Sequence, residues 1–146
     1  MNPITTFEDL QVWKVVRELR KRLYAVARGL PELERYNLAP QIRRAAVSIT
    51  ATLAEGFGRF SFKENVQCCR VSRGSAYESL DHVITCHDEG YLNDGELQEL
   101  RRTIARFLQL LNGYIRSIGK ASRERSGSPL PILGRMTILA RMTSDG

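Results

Sequence analysis

Cysteine is scarce. Cys68, Cys69 and Cys86 are the three in 146 residues, an odd number whose spacing builds no framework of paired bridges. A disulfide-held miniature fold is excluded, and a reducing, cytoplasmic compartment is expected. Histidine is scarcer still, with two residues, His82 and His87, and neither Cys-x-x-Cys nor His-x-x-x-His occurs. The imagined set of His82, Cys86 and Cys68 or Cys69 therefore has no zinc-type spacing, and no metal is expected. No run of about eighteen apolar residues occurs, so no membrane-spanning helix and no membrane partner are expected. The opening "MNPITTFEDLQVWK" lacks a basic segment followed by an apolar one, so no secretory leader is expected. Alternation of period two with β-branched residues is missing as well, which argues against strands.

Sequence signatures of catalysis are also missing. There is no Gly-x-Ser-x-Gly elbow, no phosphate loop with its lysine, and no strand ahead of a glycine-rich turn for a dinucleotide. "RGSAYES" resembles an active-site serine context only superficially. Ser75 falls in mid-helix facing the seam, and Gly74 beside it reads as a site of close helix–helix approach, since glycine is costly in a helix interior. No catalytic residue and no cofactor are assigned, and an enzyme is not expected.

What the chain has is helical periodicity. Val12, Val16, Leu19, Leu23, Val26 and Leu30 follow one another at 4, 3, 4, 3, 4, a heptad seam. Thr6 with Asp9 can cap this first helix, and Gly29 with Pro31 closes it. A second seam, Ile42, Ala46, Ile49 and Leu53, begins after Asn37 as cap, with Pro40 tolerated in the first turn. Ser61 and Glu64 form a capping box for a third helix. Its seam is unusually small-sided (Cys69, Ser72, Ala76, Ser79, Val83, Cys86), with Leu80, Ile84 and His87 flanking. His82 is placed on the surface, His87 near the helix C-terminus, and Gly90 ends the helix. Asn93 and Glu96 box a fourth, whose seam is Leu97, Leu100, Ile104, Phe107, Leu111, Tyr114 and Ile118, with Gly119 as the stop. Short connections between four such helices give an antiparallel up-down-up-down four-helix bundle. The bundle domain is placed at 1–121. Residues 122–146 read as a Ser/Gly/Pro linker followed by an apolar, basic tail, in which Ile132, Met136 and Leu139 form a short amphipathic face.

The 22 Lys and Arg against 16 Asp and Glu leave a net charge of +6, a balance that suits polyanionic partners. The charge is also segregated. Six basic residues and one acid lie between Lys14 and Arg28; seven acids and no Lys or Arg lie between Glu78 and Glu99; seven basic residues and one acid lie between Arg101 and Arg125. Single-signed blocks of this length permit self-association of unlike patches and polyanion binding.

"AEGFGR", residues 54–59, raises a question of its own. A glycine pair ahead of a helix can cradle phosphate, but here it follows an apolar helical run, so Gly56 and Gly58 read as a helix stop and a turn. Together with "FEDLQVWK" at 7–14 and "SRGSAYESL" at 72–80, the stretch "QIRRAAVSITATLAEGFGR" at 41–59 resembles the bacterial four-helix-bundle family. That family is also called the 23S rRNA intervening-sequence protein, or S23 ribosomal protein, family. The resemblance covers about residues 5–119. The family usually has Pro-Ala-Asn after Ser-Ile, where this chain has Thr50, Ala51 and Thr52, and Ser72 stands for a common alanine. The resemblance implies a bundle assembled as a homopentameric ring. The family name derives from reading frames inside rRNA intervening sequences and assigns no ribosomal role.

The functional expectation is a self-associating, non-enzymatic scaffold that binds nucleic acid, RNA first, through gathered basic residues. The candidates are Lys14, Arg17, Lys21, Arg43, Arg44, Arg59, Arg73, Arg101 and Arg102. Trp13, Gln41, Glu55, Gly56, Gly74, Ser75 and Glu78 are candidates for structure or assembly. The alternative is a protein–protein module without nucleic-acid contact, in which Arg44 and Arg59 pair with Glu55, Glu78 or Asp81 within or between subunits and a partner protein brings the function.

Overall fold

The computed structural model describes residues 3–125, and these form four α-helices and no strand. The helices are α1 (Gln11–Gly29), α2 (Leu38–Gly58), α3 (Phe62–Asp88) and α4 (Asp94–Arg125). Each packs against its chain neighbours, and α1 closes the bundle against α4. Opposed pairs fix the directions. Ser48 meets Ser75 and Ile49 meets Ser72, so α2 and α3 are antiparallel; Arg73 meets Asn112 and Asn65 meets Tyr114, so α3 and α4 are antiparallel too.

The seams of α2, α3 and α4 lie in the core: Ile42, Ala46, Ile49 and Leu53, the six small positions of α3, and the seven of α4 are all buried. The α1 seam departs from its strict heptad. Val12, Val16, Leu19 and Leu23 are buried, but the next buried position is Ala27, while Val26 and Leu30 pack at the margin. A straight helix turns once per 3.6 residues, so a 3.5-residue repeat drifts off the core face by about 20° per heptad.

The ends follow the caps, with corrections. Ser61 Oγ accepts from Glu64 N at 3.3 Å and Asn93 Oδ1 from Glu96 N at 2.8 Å. Gly90, with φ of 80°, takes the left-handed turn after α3, where a side chain is disfavoured. Thr6 and Asp9 instead close a 3₁₀ turn, Phe7–Asp9, with Asp9 Oδ2 accepting from Thr6 N at 3.1 Å; α1 begins afterwards at Gln11. Asn37 stands at the N-cap of α2 but its side chain does not cap. The buried Glu34 carboxylate does, accepting from Leu38 N at 3.2 Å and Asn37 Nδ2 at 3.1 Å, while Tyr91 Oη donates to it at 3.3 Å from the α3–α4 turn. A residue four ahead of the helix that doubles as cap and inter-loop tie leaves no local signature.

Gly119 is no stop, because α4 runs through it to Arg125. Residues 126–146, including the proposed amphipathic face at Ile132, Met136 and Leu139, lie outside the described residues. Gly74 does not serve close approach within the chain: it is exposed, and a Cβ built on it meets nothing within 4 Å. Gly74→Ala is therefore expected to stabilise the chain by about 0.5–1 kcal/mol, the propensity difference in an exposed helix interior. A lower melting temperature by circular dichroism would show that this backbone is covered by something outside the protomer.

Candidate nucleic-acid interface

Helix α1 places Arg20 and Lys21, then Tyr24, then Arg28 on one side, and α2 runs alongside it. Between them Arg20, Lys21, Tyr24, Arg28 and Val47 line an open hollow of about 430 Å³. A second hollow of about 220 Å³ adjoins it at the α1–α2 connection, bounded by Arg28, Arg35 and Arg43 with Glu32 among the lining residues. Arg28 lines both, and Arg43 and Val47 lie four apart on α2, so the two are neighbours on one α1–α2 face, called the trough below.

Five cations thus converge: Arg20, Lys21, Arg28, Arg35 and Arg43. Two of them carry acid partners, Lys21 with Glu18 at 2.9 Å and Arg35 with Glu32 at 3.2 Å, both exposed. Surface pairs of this kind are weak and yield to a better ligand. Arg20 donates to the neutral Thr50 hydroxyl at 3.1 Å, which orients the guanidinium without cancelling its charge. Arg28 and Arg43 make no ion pair among the described residues.

Of the nine cationic candidates, the trough gathers Lys21 and Arg43. Lys14 and Arg17 are exposed near the start of α1, the Arg17 guanidinium sitting 5.8 Å above the Trp13 ring. Trp13 is buried edge-on against Phe7 with centroids 5.1 Å apart, holding the N-terminal turn to α1. Arg44 is exposed beside Gln41 on α2, about 100° around the helix from Arg43. Arg73 donates to Asn112 at 3.2 Å, and Arg102 pairs with Glu99 at 2.8 Å while Arg101 is exposed. Single-residue charge in the sequence carries no azimuth. Phasing α1 on its buried positions would have grouped Arg20, Lys21 and Arg28, and Arg35 needed the loop path as well.

Arg59 is engaged inside the chain. Its Nη2 donates to Glu55 Oε1 at 2.8 Å, and Nη1 lies 3.7 Å from Glu64. The hydrogen bond to Glu55 and the two carboxylates hold the guanidinium pKa above its usual value. Glu55 and Arg59 are half exposed, 52% and 49%, so water screens the pair. Arg59→Ala is expected to move the melting temperature by no more than about 2–4 °C; a fall beyond about 8 °C would make the pair a fold determinant.

The glycine before it has a different role from a stop. Gly56 is buried inside α2, which continues to Gly58, and neither has a positive φ. A Cβ on Gly56 would lie 2.6 Å from Asn65 Oδ1 and 2.7 Å from Cys68 Cβ. The small side chains of α3 make this closeness possible along the whole pair: Ser72 Oγ donates to Ile49 O at 2.7 Å, and Ser48 and Ser75 hydroxyls meet at 2.8 Å. Ser75 thus joins α2 to α3, as its seam position predicts. Thr52 donates to Ser48 O at 2.6 Å within its own helix.

His82 is buried, not on the surface; its Nε2 lies 3.4 Å from Glu78 Oε1 without hydrogen-bonding geometry. His87 joins helix ends, its Nε2 lying 2.6 Å from Asp94 Oδ1. Burial raises all three thiol pKa values, Cys86 to about 11 and Cys69 to about 12, so the thiols stay protonated at neutral pH. No cluster of three metal-ligating side chains occurs among the described residues, and no described helix is long and apolar enough to cross a membrane.

The model of a protein family described as 23S rRNA-intervening sequence protein matches residues 8–113. No curated protein matches the chain. The matched span includes the whole α1–α2 trough.

Proposed function

The chain belongs to the 23S rRNA-intervening sequence protein family, and from its cationic trough we propose that it is a non-enzymatic scaffold that binds nucleic acid, RNA first, as a homo-oligomer. The observation that carries this reading is the convergence of Arg20, Lys21, Arg28, Arg35 and Arg43 along one α1–α2 face, with Arg28 and Arg43 free of acid partners among the described residues. An array of cations, four on the packed helices and one on their connection, can meet successive phosphates and release the counterions that surround them. The homopentameric ring implied by the family resemblance multiplies the array around one particle.

Titration of a labelled mixed RNA pool at several salt concentrations tests this. Five phosphate contacts on single strands give a slope of log K on log salt near −3.5, or about a hundredfold weaker binding at 200 mM than at 50 mM. Absence of binding at 50 mM salt, or binding indifferent to salt, refutes it.

The second reading, an assembly module with no nucleic-acid contact, draws on the ion pairs that occupy Arg59 and on the unlike charge blocks. Arg44 makes no ion pair among the described residues and is exposed on α2, so Arg44→Glu separates the two readings. Loss of the assembled particle in light scattering assigns Arg44 to assembly; an intact particle with weakened RNA binding assigns it to recognition.

A further inference from the structure

One aromatic ring lines the trough and a second stands at its edge, against a lining arginine. Tyr24 lines the larger hollow, four residues after Arg20 and four before Arg28 on α1, so all three share one helix side. Tyr36, next to the trough-lining Arg35, is 83% exposed. Its ring lies under the Arg35 guanidinium, 5.2 Å from carbon to centroid. Val47 adds an exposed apolar patch to the lining.

Cations alone read phosphate and respond to single and double strands alike. Rings do not. In a duplex the base faces are stacked on one another and out of reach, whereas an unpaired base presents a π face to tyrosine or to a guanidinium plane. Tyr36 has no packing role that explains so large an exposed ring, and the Arg35–Tyr36 pair offers two stackable planes together. The scale agrees. From Lys21 to Arg28 the helix rises about 10 Å, and a hollow of about 430 Å³ lies in the size range of small-ligand pockets, large enough to receive an unpaired base.

Resting on the nucleic-acid reading above, we propose that the α1–α2 trough selects single-stranded nucleic acid, with Tyr24 and Tyr36 stacking unpaired bases while Arg20, Arg28 and Arg43 hold the phosphates between them. The bases supply affinity through their faces, so the site tolerates many sequences.

The test uses the full chain, a fluorescein-labelled non-self-complementary RNA strand, and the same strand annealed to its complement, followed by anisotropy. The single strand is expected to bind at least about tenfold more tightly than the duplex. Tyr36→Ala is expected to weaken single-strand binding by about 5- to 150-fold, the measured range for one lost stacking partner, with duplex binding unchanged; Tyr36→Phe is expected to retain most of the affinity. Equal affinity for the two RNA forms, or an unchanged single-strand affinity in Tyr36→Ala, overturns single-strand selection and leaves the nucleic-acid reading standing. Failure to bind either form at 50 mM salt overturns both. Displacement of the strand by polyglutamate as readily as by unlabelled RNA also overturns the proposal, in favour of an acidic protein ligand. Because Tyr36 is exposed, its variants separate recognition from folding, and a thermal melt matched to the parent chain verifies this.

Discussion

Gly56→Val is expected to lower the melting temperature by about 10 °C or more, in a thermal circular-dichroism scan. The first side-chain carbon alone would sit 2.6 Å from Asn65 Oδ1 and 2.7 Å from Cys68 Cβ. Neither neighbour can step aside freely. Cys68 Cβ moves only with the α3 backbone. Asn65 is buried, donates from Nδ2 to Tyr114 Oη at 3.3 Å, and accepts from the Cys69 thiol at 3.8 Å. The helices must separate, and separation stretches the Ser72 to Ile49 carbonyl bond and the Ser48–Ser75 contact, at 2.7 and 2.8 Å. Overpacking of a filled interface costs about 1–3 kcal/mol, occasionally more, and the buried hydrogen bonds lost with it place this variant at the upper end. One kcal/mol moves the melting point of a chain this size by roughly 4 °C. Gly58→Ala, two residues on, is the control: a Cβ there meets nothing within 4 Å, and its melt is expected not to fall below the parent's. A Gly56→Val protein melting with the parent would refute the close approach of α2 and α3.

The double reversal Arg28→Glu with Arg43→Glu is expected to give the largest loss of RNA affinity for two substitutions. Both cations line the trough and neither has an acid partner among the described residues. Two lost phosphate contacts reduce the salt slope by about 1.4 on single strands, which at 0.1 M salt is about 25-fold in affinity. The added carboxylates repel phosphate and take the loss further. Lys14→Glu with Arg101→Glu changes net charge identically, but away from the trough. If binding follows the trough, this second pair costs much less than the first; equal losses would mean that total charge, not the α1–α2 face, holds the RNA.

The helices were legible because their signals are local. Buried positions recur at helical spacing, and a capping box such as Ser61 with Glu64 lies within one turn. The failures share a cause. Gly56 and Gly119 read as stops from what glycine does to its own backbone, and Gly74 as a close approach from its cost in a helix, yet each is decided by its surroundings: α3 pressed against the first, nothing near the second, and core packing of Ile118 and Ala121 carrying α4 past the third. His82, one residue from the Val83 seam, reads as a surface residue, whereas the fold buries it. Glu34 gave no signal, since its partners lie on two different loops.

For the candidate site the division is sharper. Sequence alone determined that α1 is rich in cations, that unlike charges are segregated, and that the stretch at 41–59 follows a family pattern. These are properties of composition and order along the chain. Only the tertiary structure decided which cations meet. Arg20 and Arg28 on α1 join Arg35 from the connection and Arg43 from α2, while Arg59, part of the most distinctive motif, is held by Glu55 and Glu64. A helix presents each residue about 100° from the last, so neighbours in sequence separate around the axis, and cations far apart in the chain become one surface only when two helices pack at a fixed rotation.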